Sequence, residues 1–193
     1  MNPAIGVLAV QGAFAEHIQA LEKLGARAVE IRQLSDLNRQ PLDGLILPGG
    51  ESTVMGKLLH DLGLFAPLKQ QIATGLPVFG TCAGMILIAK RLTNDPAVHF
   101  GTMDITVQRN AYGRQLGSFQ TLEQFAGIGA IPMTFIRAPY IEQVADGVQV
   151  LAKVQGKVVA ARQGNQLAVS FHPELTPDLQ VHSYFLKSLC CEH

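Results

Sequence analysis

Short apolar runs alternate with helical patterns through the first half of the chain. The apolar runs have the length of buried strands, whereas in the intervening segments apolar residues recur every three to four positions, as on a helix packed against a sheet. The predicted strands are residues 5–10, 26–31, 44–47 and 78–80. The predicted helices are residues 15–24, a segment beginning at Ser52, residues 68–72 and residues 83–91. Strands connected in this way form right-handed crossovers, so we expect a mostly parallel sheet.

The second half has a different pattern, in which strand-like runs follow one another across short polar turns. These runs are residues 102–107, 116–119, 133–136, 148–154, 158–162 and 167–171. Gly156 and Gly164 lie in segments typical of hairpin turns, and a last helix is predicted at 177–189. We therefore expect antiparallel strands added to the parallel sheet, in a single α/β domain spanning residues 1–193 and built as a three-layer sandwich.

Composition and charge narrow the class of protein. Of 193 residues, 48% are apolar and 16% are charged, which is typical of a globular chain. Fifteen basic residues balance fifteen acidic ones, so no net charge favours binding to nucleic acid or to an anionic membrane. No apolar stretch has the length needed to span a bilayer, and the first residues lack the pattern of a signal peptide.

The cysteines do not form a disulfide framework, since two of the three are adjacent, and we expect a reducing, cytoplasmic location. Cys190, Cys191 and His193 are potential metal ligands, but no second ligand pair exists to close a site. We interpret them as part of a tail and expect no metal site.

The first candidate for chemistry is Cys82, in the motif Gly80-x-Cys82-x-Gly84 between a predicted strand and a predicted helix. Small residues on both sides of a nucleophile permit a sharp turn that lifts its side chain clear of the sheet. A thiol at a helix N-terminus ionises more easily, and the thiolate is the reactive form. A buried structural cysteine is the alternative interpretation.

The second candidate is the segment His172-Pro173-Glu174 at the end of a predicted strand. A cysteine nucleophile needs a base, and the base needs an orienting group. Residues i and i+2 of an extended segment face the same side, so Glu174 can accept a hydrogen bond from His172 while the second ring nitrogen faces Cys82. Taken alone, the segment is more often a solvated turn, and the motif around Cys82 reverses this preference.

The third candidate is Pro48-Gly49-Gly50-Glu51-Ser52, which follows the strand at 44–47. Paired glycines let the backbone approach a ligand, and their N–H groups, with that of Ala83, are suited to bind an oxyanion. Arg109 and Arg137 follow strand-like runs, and an arginine binds a carboxylate through two parallel hydrogen bonds. Ordinary surface arginines, and for Ser52 an ordinary helix cap, are the alternatives.

These motifs together resemble those of the triad class of glutamine amidotransferases, and most closely the glutaminase subunits of pyridoxal 5′-phosphate synthases. The resemblance covers nearly the whole chain. It rests on residues 6–12, 16–17, 47–53, 80–84, 108–113, 136–139, 171–175 and 182–185. It implies the flavodoxin-like fold of class I glutamine amidotransferases, the substrate L-glutamine, and no cofactor.

The resemblance also implies roles for individual residues. Cys82 would be the nucleophile, His172 the general base and then acid, and Glu174 the carboxylate that orients His172. The N–H groups of Gly50 and Ala83 would form the oxyanion hole. The residues implied to bind glutamine are Gly50, Glu51, Ser52, Arg109, Ile136 and Arg137.

A partner follows from the same resemblance. Members of this family pass ammonia to a barrel-shaped synthase subunit in a hetero-oligomer, and contact near Gln11, extending to His17, would activate the glutaminase. Three alternatives remain open at this point: a glutaminase serving another synthase, a γ-glutamyl hydrolase without a partner, and a non-catalytic regulatory subunit. The intact set Cys82, His172 and Glu174 argues against the last.

Overall fold

The computed structural model describes residues 2–109 and 117–190. The strands in this part of the chain are β1 (Ala4–Leu8), β2 (Arg27–Ile31), β3 (Gly44–Leu47), β4 (Val78–Thr81), β5 (Ala89–Leu92), β6 (Met103–Gln108), β7 (Ser118–Phe125), β8 (Gly129–Ile136), β9 (Tyr140–Val144), β10 (Gln149–Val154), β11 (Lys157–Gln163) and β12 (Gln166–Val169). The helices are α1 (Phe14–Lys23), α2 (Leu34–Leu37), α3 (Ser52–Asp61), α4 (Phe65–Ala73), α5 (Ala83–Ile88) and α6 (Gln180–Phe185). A 3₁₀ turn covers Pro173–Leu175, and a π-helical turn, Leu186–Cys190, continues α6.

Ten strands form one sheet in the order β2-β1-β3-β4-β12-β11-β9-β6-β5, with β10 paired to β11 outside this order. The first five strands in this order are parallel to one another. Further along, β11 is antiparallel to β12, β10 and β9, and β9 is antiparallel to β6, while β5 is parallel to β6. The predicted α/β fold, a mostly parallel sheet with antiparallel additions, is confirmed.

Alternate residues of the central strands feed two hydrophobic clusters, one on each face of the sheet. On β3, Leu45 and Leu47 belong to one cluster and Ile46 to the other, as the pleat of a strand requires. The first cluster takes in residues of α3, α4 and α5, and the second takes in residues of α1, α6 and the β7–β8 hairpin. This arrangement gives the three layers that the apolar pattern predicts.

Three local predictions differ from the structure. The helix predicted at 83–91 ends at Ile88, and the chain continues as β5, which pairs with β6. The residues of β5 are compatible with a helix, so pairing at the edge of the sheet overrides local propensity. Strand β9 and the short helix α2 are absent from the predicted elements. Residue 116 of the strand predicted at 116–119, and residues 191 and 193 of the tail, lie outside the described residues.

The parallel strands β1, β3, β4 and β12 lie side by side and end at one edge of the sheet. The segments that leave this edge begin near Gln11, Gly49, Cys82 and Ser170, so all three candidate motifs meet there. In such sheets ligands bind beyond the carboxyl ends of the strands.

A helix that crosses a bilayer must be both long and apolar. None of the helices in the described part of the chain meets these two requirements together.

Candidate active site

Cys82 lies in a sharp turn between β4 and α5. Its φ is 50° and its ψ is −103°, a conformation that residues other than glycine rarely adopt. The turn is held because the N–H of Cys82 donates to the carbonyl oxygen of Val169 at 2.8 Å. A Cβ at Gly80 would lie 2.6 Å from the carbonyl group of Gly84, and one at Gly84 would collide with the carbonyl oxygen of Leu47. Close backbone packing therefore explains both glycines of the motif.

His172 and Glu174 follow β12, the strand that pairs directly with β4. The N–H of His172 donates to the carbonyl oxygen of Thr134 on β8, at 2.8 Å. Its ring Nδ1 lies 2.7 Å from Oε1 of Glu174, and the ring is close enough to Cys82 for the two side chains to interact. As whole residues, the three members of the triad are only 7–8% exposed. The structure thus brings Cys82, His172 and Glu174 into one continuous set of contacts.

The contacts of His172 change its charge. Burial by itself lowers the pKa of His172, but the hydrogen bonds to Cys82 and Glu174 and the negative charges of both outweigh burial and raise this pKa to about 10. At neutral pH the imidazole is therefore protonated beside Cys82 and Glu174. A proton is held where a leaving group would need it.

The loop after β3 approaches the same point. A Cβ at Gly49 would collide with the ring of His172 and would lie 3.5 Å from Cβ of Cys82, so only glycine fits there. The carbonyl oxygen of Gly49 accepts a hydrogen bond from the N–H of Ala13 at 3.0 Å. Because C=O and N–H point in opposite directions across a trans peptide, the N–H of Gly50 faces away from Ala13.

Gln11 connects the first strand to this loop. Its Oε1 accepts a hydrogen bond from the N–H of Glu51 at 2.9 Å, and a Cβ at Gly50 would collide with the same oxygen. On the other side of the site, Ala83 is the first residue of α5, and its N–H has no acceptor within the helix. The segment after β1 therefore constrains the peptides expected to bind an oxyanion.

A cleft of about 390 Å³ opens over Cys82. The predicted site residues that line it are Gln11, Gly50, Glu51, Ser52, Cys82, Ala83, Arg109, Ile136, Arg137 and His172. Glu174 lies behind His172 and does not line the cleft. Within residues 2–109 and 117–190, no group of three or more His, Cys, Asp and Glu side chains could hold a metal ion.

Arg109 and Arg137 enter the cleft from the second half of the chain. Nη1 of Arg109 lies 3.5 Å from Oδ2 of Asp95, and its Nε is buried without a hydrogen-bond partner among the described residues. Arg137 has a φ of 42°, and its N–H donates to the carbonyl oxygen of Gly117. Residues 110–113 of the motif at 108–113 lie outside the described residues. The buried, unpartnered Nε of Arg109 is a donor suited to bind an anionic substrate group.

His17 is buried and does not lie at the surface expected for a residue of a partner interface. Its side chain is fully buried, with Nδ1 2.8 Å from Nε2 of His182 and Nε2 3.5 Å from Oε2 of Glu174. A residue without exposed surface cannot contact a partner directly. The sequence pattern already indicated that His17 is buried, because it shares one face of α1 with Ala20 and Leu21.

Sequence reasoning gave no role to His182, which packs on α6 between buried apolar residues. Burial lowers the pKa of His182 to about 4. Burial also lowers the pKa of His17, and the neighbouring His182 and His172 lower it further. Both rings are therefore neutral near neutral pH.

Known proteins resemble this chain over nearly its whole length. Residues 7–191 match the model of the SNO glutamine amidotransferase family. The proteins named pyridoxal 5′-phosphate synthase subunit PdxT from Desulfitobacterium hafniense (strain Y51) and Streptococcus pneumoniae (strain ATCC 700669 / Spain 23F-1) are 57% and 56% identical to it. These alignments cover 96% and 97% of this chain and 92% and 98% of the relatives.

Solved structures agree with this match. A crystal structure described as a glutamine amidotransferase superposes with a TM-score of 0.91 at 44% identity, covering 96% of this chain and 98% of that one. A putative GMP synthase protein from Thermoplasma acidophilum shares the fold, with a TM-score of 0.72 at 19% identity, covering 98% of this chain and 94% of that one. Because the family model matches residues 7–191 of this chain, the chain belongs to the SNO glutamine amidotransferase family.

Proposed function

We propose that this chain is the glutaminase subunit of a pyridoxal 5′-phosphate synthase, and that it hydrolyses L-glutamine to L-glutamate and ammonia. One observation carries the proposal. A cysteine in a strained turn lies beside a histidine whose Nδ1 is 2.7 Å from a buried carboxylate, at the base of a cleft. The names of the relatives support the choice of synthase.

In the first step, the Cys82 thiolate attacks the side-chain amide carbon of glutamine. The N–H groups of Gly50 and Ala83 bind the oxyanion that develops on the amide oxygen. The protonated ring of His172 gives its proton to the departing nitrogen, so that ammonia leaves and a γ-glutamyl thioester remains on Cys82.

In the second step, His172 acts as a base. Formation of the thioester removes the thiolate charge that helps to raise the pKa of His172, so the ring no longer holds its proton as strongly. The neutral ring accepts a proton from water, and the hydroxide attacks the thioester carbon. Collapse of the tetrahedral intermediate releases glutamate and restores the thiolate of Cys82. The same change of charge thus converts His172 from acid to base.

The residues around the cleft would hold the α-amino acid end of glutamine. Arg109 would bind the α-carboxylate, since its Nε is buried and without a partner among the described residues. Glu51 is exposed at the rim and would face the ammonium group. Ser52, Ile136 and Arg137 would complete the pocket.

Ammonia released into bulk water would be protonated and lost, so a synthase would have to receive it directly. We propose a barrel-type synthase subunit, in a hetero-oligomer, as this partner. Ile136 and Leu175 line the cleft and are 40% and 41% exposed, so the mouth offers apolar surface for a partner to cover. Cys82 is a free thiol, and thiols stay reduced in the cytosol, so we propose that the complex works in the cytoplasm.

The test is steady-state release of ammonia from glutamine, with and without the synthase, for the wild-type chain and for Cys82→Ala. The expected result is turnover by the wild-type complex, none by Cys82→Ala, and labelling of Cys82 by a glutamine analogue with an electrophilic side chain. Turnover retained in Cys82→Ala would overturn the assignment of the nucleophile. Activation by another synthase, or turnover of γ-glutamyl peptides without a partner, would favour the alternatives.

A further inference from the structure

His172 contacts only one of the two carboxylate oxygens of Glu174. Its Oε1 contacts Nδ1 of His172 at 2.7 Å, whereas its Oε2 is buried and has no hydrogen-bond partner within residues 2–109 and 117–190. A carboxylate oxygen buried without a donor is costly and calls for a structural explanation. A carboxylate held at one oxygen can also rotate away from the ring it orients.

One donor lies within reach of the unoccupied oxygen. Nε2 of His17 is 3.5 Å from Oε2 of Glu174 and 3.2 Å from Oγ1 of Thr81. All three side chains are buried, so water does not compete freely for these positions. A shift of a few tenths of an ångström would bring His17 into an ordinary hydrogen bond with Glu174.

Whether His17 donates to Glu174 depends on which ring nitrogen carries its proton. Nδ1 of His17 lies 2.8 Å from Nε2 of His182, so one of these two nitrogens donates to the other. If His182 donates, the proton of His17 is on Nε2, where Oγ1 of Thr81 at 3.2 Å and Oε2 of Glu174 at 3.5 Å are the available acceptors. If His17 donates, its bare Nε2 faces a carboxylate oxygen instead.

Two observations favour donation by His182. In the reverse arrangement, lone pairs of His17 and of the Glu174 carboxylate would face each other across 3.5 Å. The reverse arrangement would also place the proton of His182 on Nδ1, which is buried and without a partner in the described part of the chain. An N–H left unsatisfied there would carry a full desolvation cost.

We propose that His17 is a positioning residue that donates from Nε2 to the free oxygen of Glu174, and that His182 fixes the tautomer that makes this possible. This inference rests on the proposed function, in which Glu174 orients His172. Held at both oxygens, Glu174 keeps the imidazole in line with Cys82 as its charge changes between the two steps. The contact set then extends through five side chains, from Cys82 to His182.

The kinetic test compares variants of the full chain assembled with its synthase. His17→Leu removes the donor, whereas His17→Gln retains an N–H at a similar reach. Phe79→Leu is the matched control, because Phe79 is equally buried and packs edge-on against both rings without a polar contact. Thermal unfolding of each variant shows that it is folded before its rate is compared.

We expect His17→Leu to lower kcat by about tenfold or more while KM changes by less than about twofold, because substrate binding does not involve Glu174. His17→Gln should restore most of the rate, and Phe79→Leu should lose stability but little kcat. The kcat of His182→Leu should lie between those of His17→Leu and the wild type, because the tautomer of His17 is then no longer fixed. Equal rates for folded His17→Leu and Phe79→Leu would overturn the inference.

A second readout does not depend on activity. Long-range ¹H–¹⁵N correlation spectra of the isolated chain report which imidazole nitrogen carries the proton. We expect the Nε2–H tautomer for both His17 and His182, and a mixture for His17 in His182→Leu. An Nδ1–H tautomer at His17 would overturn the inference. If the wild-type complex released no ammonia, the proposed function would fail, and this spectrum would still decide the role of His17.

Discussion

The charge of His172 is set by its two neighbours rather than by its burial. Burial alone favours the neutral ring, yet the hydrogen bonds and charges of Cys82 and Glu174 raise the pKa of His172 to about 10. At the scale of single residues, the imidazole of His172 is therefore protonated before the reaction and can donate this proton to a leaving group. In the proposed mechanism, this charge lets His172 act first as an acid and then as a base.

We predict that Cys82→Ala lowers the pKa of His172, because the substitution removes both a hydrogen bond and a negative charge that raise it. An NMR titration of the imidazole in the two proteins measures the change. Glu174→Gln should lower the same pKa through the loss of the other charge. A pKa that stays at about 10 in Cys82→Ala would mean that the thiolate is not the partner of the ring.

Arg109→Lys should not behave as a conservative substitution. Lysine cannot make the planar, two-point contact with a carboxylate that arginine makes, so we expect a loss of about 1–3 kcal/mol in transition-state binding. The measurement is kcat/KM for glutamine in the synthase complex. An unchanged kcat/KM would place Arg109 outside the substrate pocket.

At the scale of elements, the turn between β4 and α5 depends on backbone packing that leaves no room for side chains. Gly80 and Gly84 allow α5 to start directly over the ends of β3 and β4. The motif could be recognised from the sequence because these requirements fall within five consecutive residues. The continuation of α5 as β5 could not be predicted, because it depends on pairing with β6, and the local sequence pattern does not show this pairing.

We predict that Gly84→Ala destabilises the fold by about 2 kcal/mol or more, because its Cβ would collide with the carbonyl oxygen of Leu47, which is backbone and cannot move aside. Gly147→Ala is the control. Gly147 has a φ of 84° and open space around it among the described residues, so alanine there should cost only about 1 kcal/mol of conformational strain. Chemical denaturation of both variants measures the difference, and equal losses would contradict the packing argument.

At the scale of the whole molecule, buried histidines link stability to pH. The pKa of His182 is about 4 in the fold, against 6.5 for an unperturbed histidine. The unfolded chain therefore binds a proton at this position between pH 6.5 and about 4, where the folded chain does not, and stability falls as the pH is lowered through this window. Below about pH 4, His182 is protonated in both the folded and the unfolded chain, so its contribution to stability no longer changes with pH.

We predict that His182→Leu reduces this loss of stability between pH 6.5 and about 4. The free energy of unfolding, measured by denaturant titration across the window, should have a smaller slope against pH than in the wild type. Gln180→Leu, on the same helix but without a titrating group, serves as the control. An identical slope in His182→Leu and the wild type would show that His182 does not contribute.

The contacts between the segment after β1 and the loop after β3 suggest how a partner would control the rate. We predict that the isolated chain hydrolyses glutamine poorly, that the synthase raises its rate, and that Gln11→Ala weakens this activation. Gln11 holds the N–H of Glu51, and Ala13 holds the carbonyl of Gly49, so this segment sets the orientation of the Gly49–Gly50 peptide. A misplaced oxyanion donor costs on the order of a hundredfold in rate.

Ammonia release with and without the synthase measures this activation. Full activity of the isolated chain would contradict control by the partner. Undiminished activation of Gln11→Ala would leave control by the partner intact but exclude this route to the oxyanion hole.

The sequence by itself determined the alternation of strands and helices, the turn at Cys82 and the pairing of His172 with Glu174. Each of these depends on residues that are close together in the chain. His172 and Glu174 nevertheless meet across a 3₁₀ turn rather than in the extended segment that the sequence predicted. Only the tertiary structure decided that β12 lies beside β4, which brings His172 to Cys82, and that His17 meets His182 behind the site. The reason is physical: periodicity shows that a side chain is buried, whereas its neighbour across the core is chosen by the packing of the whole sheet and its layers.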